Sequence, residues 1–193
     1  NTGKLMTSQM VSIDGEMFWQ YSLSRYATGD VAPLALLLQD QHGVNVNVLL
    51  LVCWCLENNI IVNLPQLKDV IEAAAKSESE LKIHRDKRKL ANPKHRSTVQ
   101  SSTNANDESS ASCERNAETY ELLKTQELAL ERQQQEAIIE AFNQLDVHRM
   151  SAQPSGDGTR ILNASIAAFI NVYSLRENSE ARSLVSQLVS QLP

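Results

Sequence analysis

Cysteine is scarce in this chain. Its three copies, Cys53, Cys55 and Cys113, are too few for a disulfide framework. Cys53 and Cys55 stand two apart on one expected helix and so point to different sides, which reads as reduced thiols in a cytoplasmic protein. Glycine and proline are also sparse, six and five in 193 residues, which excludes collagen-like and Pro/Gly-rich low-complexity chains. No stretch of useful length alternates polar and apolar residues, so no sheet is expected. No apolar run approaches the roughly 20 residues that cross a bilayer. Asn1 to Met10 lacks the apolar core of a signal peptide, and residues 1–11 read as a flexible leader, partly vector-derived.

The signatures of chemistry are missing too. His42, His84, His95 and His148 are scattered without HxxxH or HExxH spacing, so no metal ligand set is assigned. Neither a GxGxxG nor a GxxxxGK[ST] loop occurs, and the clustered Gly156 and Gly158 do not follow a strand. No GxSxG elbow presents a serine nucleophile. Catalytic residues are not assigned, no cofactor is expected, and the chain reads as non-enzymatic.

What is present is helical periodicity. Val48 to Leu56 is an unbroken run of apolar residues bracketed by Asn47 and Glu57. A helix apolar on every side is surrounded by others, so residues 46–58 are placed at the centre of a bundle. Before it, Asp30 reads as a helix cap and Pro33 falls in a first turn. Leu34, Leu37 and Leu38 then form an inner face, Gly43 ends the helix, and Asn45 caps the next. An earlier helix is capped by Asp14, with Trp19, Leu23 and Tyr26 as one stripe and Phe18 and Tyr21 beside it. A fourth starts at Asn63, faces inward through Leu67, Val70, Ile71 and Ala74, and continues to about Leu90.

Residues 97–117 are serine, asparagine and other small polar residues, too poor in apolar surface to offset the entropy of ordering, and read as a disordered loop. A long helix resumes from Glu118 to about Asp146, exposed or lightly packed around Gln133, Gln134 and Gln135. After the turn-rich stretch Ser151 to Thr159 come two short helices. Leu162, Ile166, Phe169, Ile170 and Tyr173 mark the first; Leu184, Val185, Leu188 and Val189, after the cap Asn178, mark the second. The expectation is an all-α fold: residues 12–193 form one compact helical bundle of about six or seven helices around 46–58, with a long antiparallel helical hairpin.

The pattern Phe18-Trp19-x-Tyr21-Ser22, then Tyr26, then Leu38-Gln39-Asp40-x-x-Gly43-x-Asn45-Val46-Asn47-x-Leu49-Leu50 with Trp54 following, resembles a family of small uncharacterised proteobacterial proteins known only as a domain of unknown function. The likeness extends through Ile83, Lys87, Arg88 and Leu90 to about Phe142. This resemblance implies an all-α fold and implies no activity.

Asp40, near the end of one helix, and Asn47, in the first turn of the next, flank the Gly43 turn. With Gln39 and Asn45 they read as a structural polar clasp, the carboxylate accepting from helix N-terminal N–H groups or from the Asn47 amide. Against this stands a pocket near Asp40 for a small molecule or enzyme chemistry, with Phe18, Trp19, Tyr26 and Trp54 as its aromatic wall or simply as core. The turn also resembles that of a helix-turn-helix DNA reader, but residues 46–58 carry no lysine or arginine for a groove.

Charge is patterned. Between Lys82 and Arg96, seven basic residues oppose Asp86 alone; between Glu118 and Asp146, seven acids oppose Lys124 and Arg132. If the two helices lie antiparallel these stretches meet, and internal pairing is preferred. The alternative is a basic face, Arg85, Lys87, Arg88 and Lys89, for RNA, the ribosome or an acidic protein. The functional expectation is a protein-interaction or adaptor module of the bacterial cytoplasm with a protein partner and no membrane. Nucleic acid is the less favoured partner.

Overall fold

The computed structural model describes the backbone of residues 11–92, 109–150 and 157–193, with side chains except at 109–113 and 157–163. Seven helices occur among the described residues: α1 (Gly15–Tyr26), α2 (Val31–His42), α3 (Val46–Glu57), α4 (Leu64–Ala91), α5 (Ser109–Asn143), α6 (Asp157–Val172) and α7 (Ser179–Ser190). The only strand-like pairing among them is an isolated bridge between Ile60 and Arg149. No described helix is long and apolar enough to cross a membrane. The contacts divide the chain into two units, Asn1–Ala74 with Gln135–Pro193, and Ala75–Gln134.

Helices α1, α3, α4 and α7 begin where short polar side chains accept their free N–H groups. Asp14 accepts from Met17 N at 3.1 Å, Asn45 from Val48 N at 3.0 Å and Asn178 from Ala181 N at 3.0 Å. At the start of α4 the device is reciprocal. Asn63 Oδ1 accepts from Gln66 N at 2.9 Å while Gln66 Oε1 accepts from Asn63 N at 3.0 Å, a capping box. Asp30 does not cap as expected, for its ψ of 16° lies outside the extended region that turns a cap side chain over the first turn. Gly43 ends α2 at φ 66°, where a side chain would be strained, and Val44 N then donates to Leu38 O at 3.2 Å.

In the first unit α3 is the centre: every residue from Asn47 to Cys55 is buried. Helices α1, α2 and α6 pack around it, and the end of α5 brings Phe142 edge-on to Trp54, ring centroids 6.2 Å apart. Helix α7 lies antiparallel along α2, since His42 meets Asn178 at 3.3 Å and Asp30 N donates to Gln191 Oε1 at 3.4 Å. Ala35 of α2 and Ala181 of α7 are both fully buried. Asn143 fastens the chain before α1, its side chain accepting from Ile13 N at 2.8 Å and donating to Ile13 O at 2.9 Å.

Two inner faces differ from the expected ones. On α1 the buried positions are Phe18 and Ser22, with Tyr21 partly buried beside them, whereas Leu23 is half exposed. The apolar stripes of this short helix compete, and burial of Ser22 is settled by a distant partner described below. On α2 Ala35 is buried and Leu37 turned outward.

The second unit is the far part of α4 and the near part of α5. As numbering rises along α4 its partners fall along α5: Ser77 and Glu78 meet Gln134, while Arg85 and Arg88 meet Glu127. This is the antiparallel helical hairpin. Helix α5 begins at Ser109 instead of Glu118. Ala111, Glu114, Arg115 and Ala117 are good helix formers, and extending an existing helix is cheap compared with nucleating one. Of the loop expected at 97–117, residues 97–108 lie outside the described residues, and 109–117 are helical. The connector 151–156 and the side chain of Leu162 also lie outside them, and α6 begins already at Asp157.

Candidate functional site

Three polar assemblies stand out, and sequence reasoning located only part of each. The first lies at the centre of the first unit. Gln135 Nε2 donates to Ser22 Oγ at 3.1 Å and to Asn47 Oδ1 at 3.0 Å, and all three residues are buried. A buried amide or hydroxyl costs stability unless it is bonded, so each member makes the others tolerable. Gln134 and Gln135, expected at an exposed or lightly packed stretch, are 1% and 3% exposed. A run of glutamines carries no signal of this; only the partners, 113 and 88 residues away, do.

Of the clasp residues, Asn45 is buried and caps α3 while its N–H donates to Tyr173 Oη at 3.3 Å. Asn47 sits in the assembly just described. Gln39 is half-buried, and Asp40 is exposed in the last turn of α2. Of the aromatics, Phe18 and Trp54 are core, and Trp19 and Tyr26 are partly buried.

The second assembly joins α1 to the end of α3. Arg25 grips Glu57 with two donors, Nη2 to Oε1 at 2.6 Å and Nε to Oε2 at 2.9 Å, and Tyr21 donates its hydroxyl to the same carboxylate. The guanidinium also lies 4.9 Å from the Tyr21 ring centroid. Burial, reinforced by the bond to Glu57, drives the Tyr21 hydroxyl far above its ordinary range. Burial and then the Glu57 charge push the Cys53 thiol up to about 12, and burial raises Cys55 as well. Groups held this far from neutrality are fixed hydrogen-bond donors or inert thiols, unsuited to proton transfer or nucleophilic attack at neutral pH.

A test follows. Cys53 and Cys55 are expected to resist thiol-directed labelling of the native protein at about pH 8 and to be labelled fully in urea, read by mass spectrometry of their peptides. The folded thiols are raised above the ordinary value near 9, so their contribution to stability is complete below it and is lost as pH rises toward about 12. Labelling of Cys53 in the native protein as fast as in urea would contradict the burial that underlies both statements.

The third assembly is the seam of the hairpin. Arg88 donates through Nε to Glu127, and Arg85, itself buried, lies 3.4 Å from Glu78, 3.9 Å from Glu127 and 3.7 Å from Glu131. Gln134 Nε2 extends the network to Ser77 at 3.1 Å and Glu78 at 3.0 Å. Burial raises the Glu131 carboxyl against the pull of Arg85. Hydrogen bonding to Glu127 raises Arg88 and keeps its charge.

The basic stretch is therefore divided by helical geometry. Arg85 and Arg88 turn into the seam, while Lys82, Lys87 and Lys89 are exposed. Between those lysines the hairpin shows Ile83 and Leu90 to solvent, and Leu122 and Leu128 are half exposed or more on α5. These aliphatic residues were missed as surface features because an isolated Ile or Leu in a helix reads as core. Among the described residues no group of three His, Cys, Asp or Glu side chains is placed to hold a metal ion.

The molecule is thus an all-helical protein with a central apolar helix, a buried polar contact beside it and an ionic-seamed helical hairpin. It belongs to the family described as "Protein of unknown function (DUF2390)", which matches residues 17–138 and so takes in the Ser22–Asn47–Gln135 contact and the hairpin. No curated protein and no solved structure matches the chain.

Proposed function

We propose that this protein is a non-enzymatic interaction or adaptor module of the cytoplasm that uses the hairpin Ala75–Gln134 as its handle. The observation that carries this reading is the set of large aliphatic side chains left in water there, Ile83, Leu90, Leu122 and Leu128. Single exposed apolar residues are ordinary, but four stand exposed on one hairpin while Leu81 is buried, which leaves much of its aliphatic surface in water. The first unit serves as scaffold, with Gln39, Asp40, Asn45 and Asn47 holding the α2–α3 turn. Against catalysis, the Tyr21 hydroxyl and the Cys53 and Cys55 thiols are shifted away from neutrality. Against a phosphate-binding face, Arg85 and Arg88, the cations with the best fork geometry, are engaged by carboxylates.

Site-specific photocrosslinking in cells tests the handle. A photoreactive residue at Leu122 is expected to give a discrete protein adduct, and one at Leu36, an exposed leucine of α2, is expected to give none. Equal capture at both positions, or none at Leu122, would overturn the reading.

A further inference from the structure

On the far part of α4, Ile83 and Leu90 are 54% and 77% exposed. They stand seven residues apart, two helical turns and about 10.5 Å along the axis, so they project from one side. Taken as consecutive a positions of a heptad, they put Lys82 and Lys89 at g, Lys87 at e and Asp86 at d. Arg85 and Arg88 then fall at c and f, the opposite side, where the carboxylates of Glu78, Glu127 and Glu131 meet them. The seam thus faces one way and an apolar strip edged by lysines faces the other. Three exposed lysines border that strip against Glu80, at the preceding e, and Asp86, which lies 3.7 Å from Lys82.

Charges at e and g choose the partner of a helix, because like charges across the contact repel and opposite charges attract. We propose that the outer face of α4 docks an acidic amphipathic helix of a partner protein, its aliphatic side chains on Ile83 and Leu90 and its carboxylates over Lys82, Lys87 and Lys89. This rests on the hairpin being the handle and adds the chemistry of what it holds. A second copy fits less well. Two α4 faces would set lysine against lysine, and on α5 the exposed Glu114, Glu118 and Glu121 are matched in number by Arg115, Lys124 and Arg132, so these exposed charges offer no net complement. For RNA, Ile83 and Leu90 would be idle.

The probe is a labelled peptide of about three heptads with leucine at a and d and glutamate at e and g, set against its lysine counterpart. Titrated with the full chain and followed by fluorescence anisotropy, the acidic peptide is expected to bind saturably and the basic one not to bind. The triple change Lys82→Glu, Lys87→Glu, Lys89→Glu is expected to weaken the acidic peptide at least about tenfold and to admit the basic peptide. Ile83→Glu with Leu90→Glu should abolish binding of the acidic peptide. The lysine variants change exposed side chains only, so they remain informative even where the aliphatic pair disturbs folding. Equal binding of the two peptides, binding of neither, tighter binding of a single-stranded RNA, or a dimer that Ile83→Glu with Leu90→Glu dissociates would each overturn the proposal. Persisting adducts at Leu122 beside such a failure would leave the handle standing and remove only the acidic helix; loss of both would remove both.

Discussion

Replacement of Phe142 by alanine is expected to lower the unfolding free energy by about 3–5 kcal/mol, the range for deleting a fully buried aromatic ring. Phe142 has no exposed surface, and its ring meets Trp54 edge-on at 84° between planes. That geometry adds about 0.5–1.5 kcal/mol beyond the area buried. The contact also joins the last turn of α5 to the central helix α3, and its loss leaves a hole bounded by a rigid indole that collapses poorly. Small domains are stable by about 5–15 kcal/mol in total, so the variant sits near the limit of folding. Urea unfolding followed by tryptophan fluorescence measures it. Leu128→Ala, at a half-exposed position of α5, is the control and should cost no more than about 0.5 kcal/mol. Equal losses for the two variants would refute the placement of Phe142 at the heart of the first unit.

The all-helical class, the central helix and most helix starts were readable from sequence because each depends on near neighbours. Asp14, Asn45, Asn63 and Asn178 cap bonds that lie three residues away, and Gly43 supplies a local φ. The misreadings have the opposite character. Ser22 is inside because Gln135 reaches it, and Gln135 is inside because Ser22 and Asn47 receive its amide. No local pattern marks a serine or a glutamine as core. The same holds for the choice between the stripes of α1, and for Glu57, which looks like a helix-end acid until Arg25 and Tyr21 close on it. In the hairpin, charge composition announced that basic and acidic stretches would meet. Which cations would turn inward is a matter of register, and one residue of rotation separates the seam-facing Arg88 from the exposed Lys87 and Lys89.

That register makes Glu127 the most consequential single charge in the second unit. Its side chain is 10% exposed, as is that of Arg85, and it accepts from Arg88 while standing near Arg85. Glu127→Ala would leave two guanidinium groups facing a gap. Removing one partner of a buried pair costs about 3–5 kcal/mol, since the remaining charge stays desolvated. The low end, about 3 kcal/mol, is expected, because Arg88 lies nearer water and Arg85 keeps Glu78 and Glu131. Glu131, whose carboxyl is raised partly by the Glu127 charge, would ionise more readily in the variant and so offset some of the loss. Hydrogen exchange should show the damage concentrated in residues 75–134, with α3 protected nearly as before. Replacing Arg85, Arg88, Glu127 and Glu131 together by leucine removes the desolvated charges along with their partners, Glu78 being the more exposed carboxylate, and should return stability to within about 1 kcal/mol of the starting protein. A loss below about 0.5 kcal/mol for Glu127→Ala would rank the seam with ordinary surface ion pairs. The hairpin would then be held by Leu81 and its neighbours, with the carboxylates as bystanders.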